Sequence, residues 1–480
     1  MMNIRRVITA ALLGLPLLAG PAFAGETSKL SLADAARLGD TTAVRSVLAR
    51  SAKADVAGPD GGVALIWAAT RNDLEMVELL LRAGADVKAA NEYGATALYA
   101  AAASPDSAMT EKLLGAGADP NAHLISGETA LMEASRRGNV ATVRALLAAG
   151  ADPNVQEVNG GQSALMWAVA QRHPAVTKEL VEYHADVGAR SQTGFTALMF
   201  AGQQGDADSA AILLAAGANP NDVAAKSGLT ALLVASAMAH PKVAALLLDK
   251  GANPDIASGD GFAPLHYAAH RRGQAAASIV TALIAHGAKL NVRLNQPKRT
   301  AISPNGVIFQ GSTPIALAAE VNNVDAVKAL VAAGADPLIP TELGTTPLMM
   351  AAGAATDTSR PRSAQEHADA VQTVRFLVEH GADVNGAGQF GWTALHSAAY
   401  QGLDEVIAYL AGKGANLDAQ DGFGQTPLSI SYALVTKGLV NAYYQTARSL
   451  HRDTAELLLK LGATPIERSG IVVVNQRAGE

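Results

Sequence analysis

Residues 129–154 read TALMEASRRGNVATVRALLAAGADPN, and this stretch decides the fold. Thr129 can cap a helix, because its hydroxyl can accept from an amide of the first turn that has no carbonyl partner. Apolar residues then recur at helical spacing until Gly138 breaks the run. A second helix follows, with Val143, Leu146 and Leu147 on one face, and Gly150 ends it as a left-handed residue should. Ala151-Asp152-Pro153-Asn154 turns the chain outward.

Working outward, the same unit returns along the chain. The residue that opens each short helix is Leu32, Leu65, Leu98, Leu131, Leu165, Leu198, Leu232, Leu265, Ile315, Leu348, Leu395 and Leu428, with spacings of 33, 33, 33, 34, 33, 34, 33, 50, 33, 47 and 33. Chance does not hold a period through that many intervals, so the chain is a repeat array rather than two or three globular domains. Proline follows the cap position at Pro264, Pro314, Pro347 and Pro427. It is tolerated there because the first helical N–H has no partner to lose.

The openings Thr393-Ala394-Leu395-His396-Ser397-Ala398-Ala399 and Ala263-Pro264-Leu265-His266-Tyr267-Ala268-Ala269 are close to Thr-Pro-Leu-His-x-Ala-Ala. Gly-Ala-Asp or Gly-Ala-Asn closes most units, as at Gly84, Gly117, Gly217, Gly251, Gly334, Gly381 and Gly414. The pattern resembles the ankyrin repeat over roughly residues 30–465. The resemblance implies an all-α solenoid of about 12 helix-turn-helix units, with hairpin-like fingers projecting from one edge. It also implies a structural hydrogen-bonding role for His266 and His396, and partner binding through the concave face and the fingers.

Five segments fall outside the array's rhythm. Residues 1–24 carry Arg5 and Arg6, an apolar stretch from Val7 to Gly20, and Ala22-Phe23-Ala24. This is the layout of a secretory signal peptide and suits a bacterial export signal, with the mature chain starting near Gly25. Periplasmic or secreted location and no membrane insertion after cleavage are the expectations. The array runs over 25–466, with insertions near 295–308, 356–369 and 438–452, and a tail at 467–480. The second insertion, around TDTSRPRSAQEHAD, reads as a polar loop. The third, with Tyr432, Tyr443 and Tyr444, reads as an extended helix covering the apolar end of the stack.

Composition narrows the chemistry. The chain is 49% hydrophobic, 17% charged and 4% aromatic, which argues against disorder and for an aliphatic helical core. The formal charge is −6, and no run of five like charges occurs, so nucleic acid is not expected as a partner. With no cysteine, disulfides and thiolate sites are excluded. HExxH, a Walker loop and a Gly-x-Ser-x-Gly elbow are all missing, and no cofactor is expected. His266 and His270 stand four apart on one helix, but no third metal ligand is near in sequence.

A binding surface is the better expectation. In this fold the residues before the mid-unit glycine and those at finger tips face the groove. They include Arg71, Arg136, Arg137, Gln203, Gln204, His270 and Arg271, with Tyr93, Phe390 and Phe423 at or near finger tips. The finger insertion adds Lys298 and Arg299 beneath an apolar Val307-Ile308-Phe309 tip. Arginine and aromatic residues anchor protein interfaces, although a solvated face explains the arginines as well. Trp67, Trp167, Phe200 and Tyr267 read as inter-repeat core. The leading reading is therefore a monomeric exported scaffold for another exported protein, and not an enzyme. The alternatives are a secreted effector that binds a host or competitor protein, and an enzyme or small-ligand receptor built on the insertions.

Overall fold

The computed structural model describes residues 30–50, 56, 58–295, 310–354, 362–432, 434–436, 451–466 and 471–473. The expected signal segment and most of the finger insertion, with Lys298, Arg299, Ile308 and Phe309, lie outside the described residues. So do Tyr443 and Tyr444. The chain divides into two compact units, Met1–Asn219 and Pro220–Glu480.

In the first unit the described helices form six antiparallel pairs. They are α1 (Leu32–Leu38) with α2 (Thr41–Leu48), α3 (Pro59–Thr70) with α4 (Leu74–Ala83), α5 (Ala97–Ala102) with α6 (Ala108–Gly115), α7 (Ala130–Arg137) with α8 (Val140–Ala148), α9 (Ala164–Ala170) with α10 (Pro174–Glu182), and α11 (Ala197–Gln204) with α12 (Ala207–Ala215). The second unit has α13 (Ala231–Ala237) with α14 (Pro241–Asp249), α15 (Pro264–Ala269) with α16 (Gln274–Ala285), α17 (Pro314–Glu320) with α18 (Val324–Ala332), α19 (Pro347–Ala351) with α20 (Ala364–Glu379), α21 (Ala394–Gln401) with α22 (Asp404–Gly412), and α23 (Pro427–Ser431) with α24 (Arg452–Leu461). Within each unit a first helix packs on its own second helix and on the next first helix. The expected all-α repeat array is the observed fold.

The caps explain why such short helices hold. Thr129 Oγ1 accepts from the Met132 amide at 3.3 Å, and Asn139 Oδ1 accepts from the Thr142 amide at 3.1 Å. Helices this short are unstable alone, so burial must carry them. All twelve anchor positions, from Leu32 to Leu428, are no more than 3% exposed. Gly150 sits at φ 89°, with its N–H on the Leu147 carbonyl and the Ala151 N–H on the Leu146 carbonyl, both at 3.0 Å. Gly138, at φ 76°, is required twice over, because a Cβ there would come within 2.6 Å of the His173 ring.

Beyond the helices, side chains and fingers stitch each unit together. Asn121 Nδ2 donates to the Gly150 carbonyl at 3.0 Å while its Oδ1 accepts from the Asp152 amide at 2.8 Å. Asn385 repeats this clasp in the second unit on Gly414 and Asn416. Successive finger turns are joined by single backbone bonds. Ile125 N–H donates to the Tyr93 carbonyl at 3.0 Å, Val158 to Ser126 at 2.8 Å and Gln192 to Gly160 at 2.8 Å. Antiparallel bridges such as His123 with Thr129 and Ala387 with Thr393 give the fingers their hairpin character.

Two expectations need correction. The second insertion is not a loop throughout, because α20 begins at Ala364 inside it and runs for 16 residues. Ser363 and Glu366 form a capping box there, Ser363 Oγ accepting from the Glu366 amide at 3.2 Å and Glu366 Oε2 from the Ser363 amide at 2.8 Å. The third insertion is not an extended helix where it is described. β1 (Leu434–Thr436) pairs antiparallel with β2 (Ile471–Val473), so the region read as a tail supplies a strand.

His184 stands where other units end their second helix in glycine, and its φ is 63°. Ala239, at φ 58°, occupies a mid-unit turn. A left-handed L-residue costs roughly 1 kcal/mol or more, offset in part by the greater freedom that glycine has when unfolded. His184→Gly and Ala239→Gly are each expected to raise stability by a few tenths to about 1 kcal/mol. A lower denaturant midpoint for His184→Gly would show that the imidazole makes a stabilising contact.

Candidate partner-binding face

Two places after the anchor leucine the first unit holds Trp67, Ala100, Glu133, Trp167 and Phe200, and in the second Tyr267 takes that place within α15. Trp67, Trp167, Phe200 and Tyr267 are half-buried, whereas the leucine anchors two places earlier are covered. They are therefore only partly covered, not the fully buried inter-repeat core expected for them. Phe195 packs edge-on against Phe200 at 5.7 Å, and Phe262 lies 5.1 Å from Tyr267. The Trp167 indole N–H is buried and makes no hydrogen bond.

Glu133, in the same column, has a side chain only 2% exposed. Arg136 grips it through Nε and Nη2 at 2.6–2.8 Å, and Arg137 Nε adds a bond of 2.8 Å. The two arginines read as groove residues thus have a defined intramolecular task. Arg71 is exposed, and its guanidinium lies over Gly39 of the preceding repeat, where a Cβ would meet it at 2.5 Å. Gln203 and Gln204 are half-buried at the end of α11.

In the second unit His270 Nε2 lies 2.5 Å from Glu320 Oε2, pairing equivalent positions of successive repeats. Arg271 is exposed, and its carbonyl accepts from Asn323 Nδ2 at 2.7 Å. Phe390 is 55% exposed at its finger, and Phe423 is half-buried. The structure does not bring His266 and His270 to a common ligand. His266 is fully covered, accepting from the Ala263 amide at Nδ1 and bonding the Val292 carbonyl through Nε2 at 3.1 Å. His396 does the same with Thr393 and the Gln425 carbonyl. Burial pushes His266 down to about 4 and lowers His396 as well. Among the described residues no three His, Asp or Glu side chains gather as a metal site.

Residue-by-residue reading missed three features of the first unit. Ile125 and Val158 are 75% and 63% exposed at finger turns next to Tyr93, which is 45% exposed. They stand six and seven residues before their anchor leucines, not five as Tyr93 does, so a strict alignment passes over them. The third is Tyr99, which holds the place of His266 and His396 and is 3% exposed. Its longer side chain reaches past the backbone of the next finger and donates to Glu128 Oε2 at 3.0 Å. Burial, reinforced by Glu128 and Glu133, raises the Tyr99 hydroxyl far above its ordinary range. Burial also raises the Glu128 carboxyl, and Glu133 and Glu157 add to that rise.

The sequence matches the family described as "Ankyrin repeats (3 copies)" over residues 32–123, 101–191, 131–224, 169–258, 198–294, 265–358 and 363–421. The chain belongs to the ankyrin-repeat family. Ankyrin repeats serve in general as scaffolds for protein–protein interaction and are typically non-enzymatic. This ankyrin-repeat chain is 30% identical over 208 residues to neurogenic locus notch homolog protein 1 of Xenopus tropicalis, covering 37% of the chain and 8% of that protein. It is 33% identical over 124 residues to ankyrin repeat and SOCS box protein 3 of Bos taurus, covering 26% of the chain and 21% of that protein. It is 37% identical over 57 residues to protein phosphatase 1 regulatory subunit 27 of Homo sapiens, covering 12% of the chain and 37% of that protein. The chain thus spans well under half the length of these curated relatives.

Proposed function

We propose that this ankyrin-repeat chain is an exported scaffold that holds another exported protein against its first-helix face and fingers. The observation that carries the reading is the half-buried column of Trp67, Trp167 and Phe200, large side chains that the stack leaves partly open. Such aromatics anchor interfaces because they bury much area for little lost conformational freedom. Arg71, Gln203, Gln204 and Tyr93 flank that column in the proposal. His270, Arg271, Phe390 and Phe423 play the same part in the second unit. Lys298, Arg299, Ile308 and Phe309 stand in it on their sequence alone. Export rests on the N-terminal pattern of charged, apolar and small residues.

Capture from the native cell envelope with the full chain tests binding. The Trp167→Ala/Phe200→Ser double variant is expected to weaken partner binding by roughly a hundredfold while keeping its helical circular dichroism. Full retention of every partner by the folded variant would move the interface elsewhere. The native protein's mass is expected to place the mature N-terminus near Gly25, and an intact Met1 would sink the export reading.

A further inference from the structure

The buried Tyr99 hydroxyl needs an acceptor from the next finger, and Glu128 supplies it. A carboxylate is more than that task requires. At the equivalent place before its own helix cap, another finger carries Gln425, and a glutamine side chain would accept from Tyr99 as well. The charge on Glu128 is instead an expense to the fold, since its surroundings are half-buried and two other carboxylates stand nearby. Those two are provided for. Glu133 has the guanidiniums of Arg136 and Arg137, and Glu157 accepts from the amides of Asn159, Gly160 and Gln162. Glu128 has hydroxyl contacts from Tyr99 and Ser126, and among the described residues no lysine or arginine pairs with it.

A second observation lies on the same fingers. Tyr93, Ile125 and Val158 form one apolar edge, because the Ile125 and Val158 amides donate to the carbonyls of Tyr93 and Ser126. The edge is close-set, since a Cβ on Gly127 would stand 3.2 Å from Val158 Cγ2. Glu128 belongs to the same turn as Ile125, on the side toward α5. A carboxylate without a cationic partner, in the same turn as an exposed apolar edge, is complementary to a cation carried between apolar groups.

Building on the scaffold reading above, we propose that the edge formed by Tyr93, Ile125 and Val158 docks an extended segment of the partner protein, which sets a basic side chain on Glu128 between two apolar ones. The apolar edge supplies contact area, and the Glu128 charge selects the register.

Two fluorescein-labelled nonapeptide pools test this on the full chain by anisotropy. One has a central arginine and the other a central citrulline, each with mixed Leu, Val, Ile, Ser and Thr elsewhere. The arginine pool is expected to bind roughly tenfold tighter or better. Glu128→Gln keeps an acceptor for Tyr99 and removes a charge that costs the fold, so it should melt at or above the parent while losing that preference. Ile125→Ser/Val158→Ser, which changes only exposed positions, should weaken the arginine pool without disturbing the melt. Equal binding of the two pools by the parent overturns the proposal. So does a preference that survives Glu128→Gln. Concentration-dependent self-association that Ile125→Ser/Val158→Ser abolishes would assign the edge to a second copy of the chain and overturn it too. In each of these cases envelope capture that still depends on Trp167 and Phe200 leaves the scaffold reading standing, so the two fail separately.

Discussion

Replacing Arg136 and Arg137 together by alanine is expected to destabilise the chain by about 3 kcal/mol at neutral pH, far more than surface arginines are worth. Glu133 is 2% exposed, and its carboxylate is held by four bonds from these two side chains at 2.6–2.8 Å. Truncating both leaves a buried charge with nothing to offset its lost hydration. Arg137→Ala alone should cost less, because Arg136 keeps its bidentate grip. Adding Glu133→Gln to the double variant should recover much of the loss by removing the charge. Denaturant midpoints at neutral pH measure each comparison. A double variant as stable as the parent would mean that the arginines are free for a partner and that solvent serves Glu133.

Acidification should weaken the array through its buried histidines, with His266 the strongest case. In the fold His266 accepts a proton-bearing amide at Nδ1, so a second ring proton would set one N–H against another. Its pKa falls to about 4 in the fold against 6.5 when unfolded. A group depressed in this way contributes its full stability above the unfolded value. It loses that contribution as pH falls from 6.5 through 4. The shift corresponds to about 3 kcal/mol. His266→Gln should therefore be less stable than the parent at neutral pH, and the difference should shrink by about that amount between pH 7 and pH 4. His396, shifted the same way by burial, should add to the parent's acid loss. A constant difference across that range would mean that His266 does not titrate differently on folding.

Much of this was legible in the chain because a repeat protein repeats its physics. The anchor leucines, the Thr and Pro openings and the Gly-Ala-Asp endings each report a local need, namely burial, a cap or a left-handed turn. Those needs recur every 33 residues or so, and the helices follow them. The Ser363-x-x-Glu366 box shows where even local reading fell short, since a polar insertion concealed a helix start that its own spacing signalled. The β1–β2 pairing was beyond local reading, because its two strands are separated in sequence and neither is periodic.

The sequence by itself determined the unit, the number of units, the caps and the buried stripe. Each is set by contacts within about one repeat length, where spacing alone places side chains on a face. Tertiary structure decided how much of each side chain stays open and which groups meet across repeats. Trp167 and Phe200 read as core because they are large and apolar, yet both stay partly open. Arg136 and Arg137 read as groove or solvated-face residues because nothing in their spelling shows that Glu133 would be covered from both sides. Tyr99 and Glu128 are 29 residues apart and meet only because one finger stacks on the next. Exposure and pairing of this kind depend on what the neighbouring repeat places opposite, and a period cannot specify that.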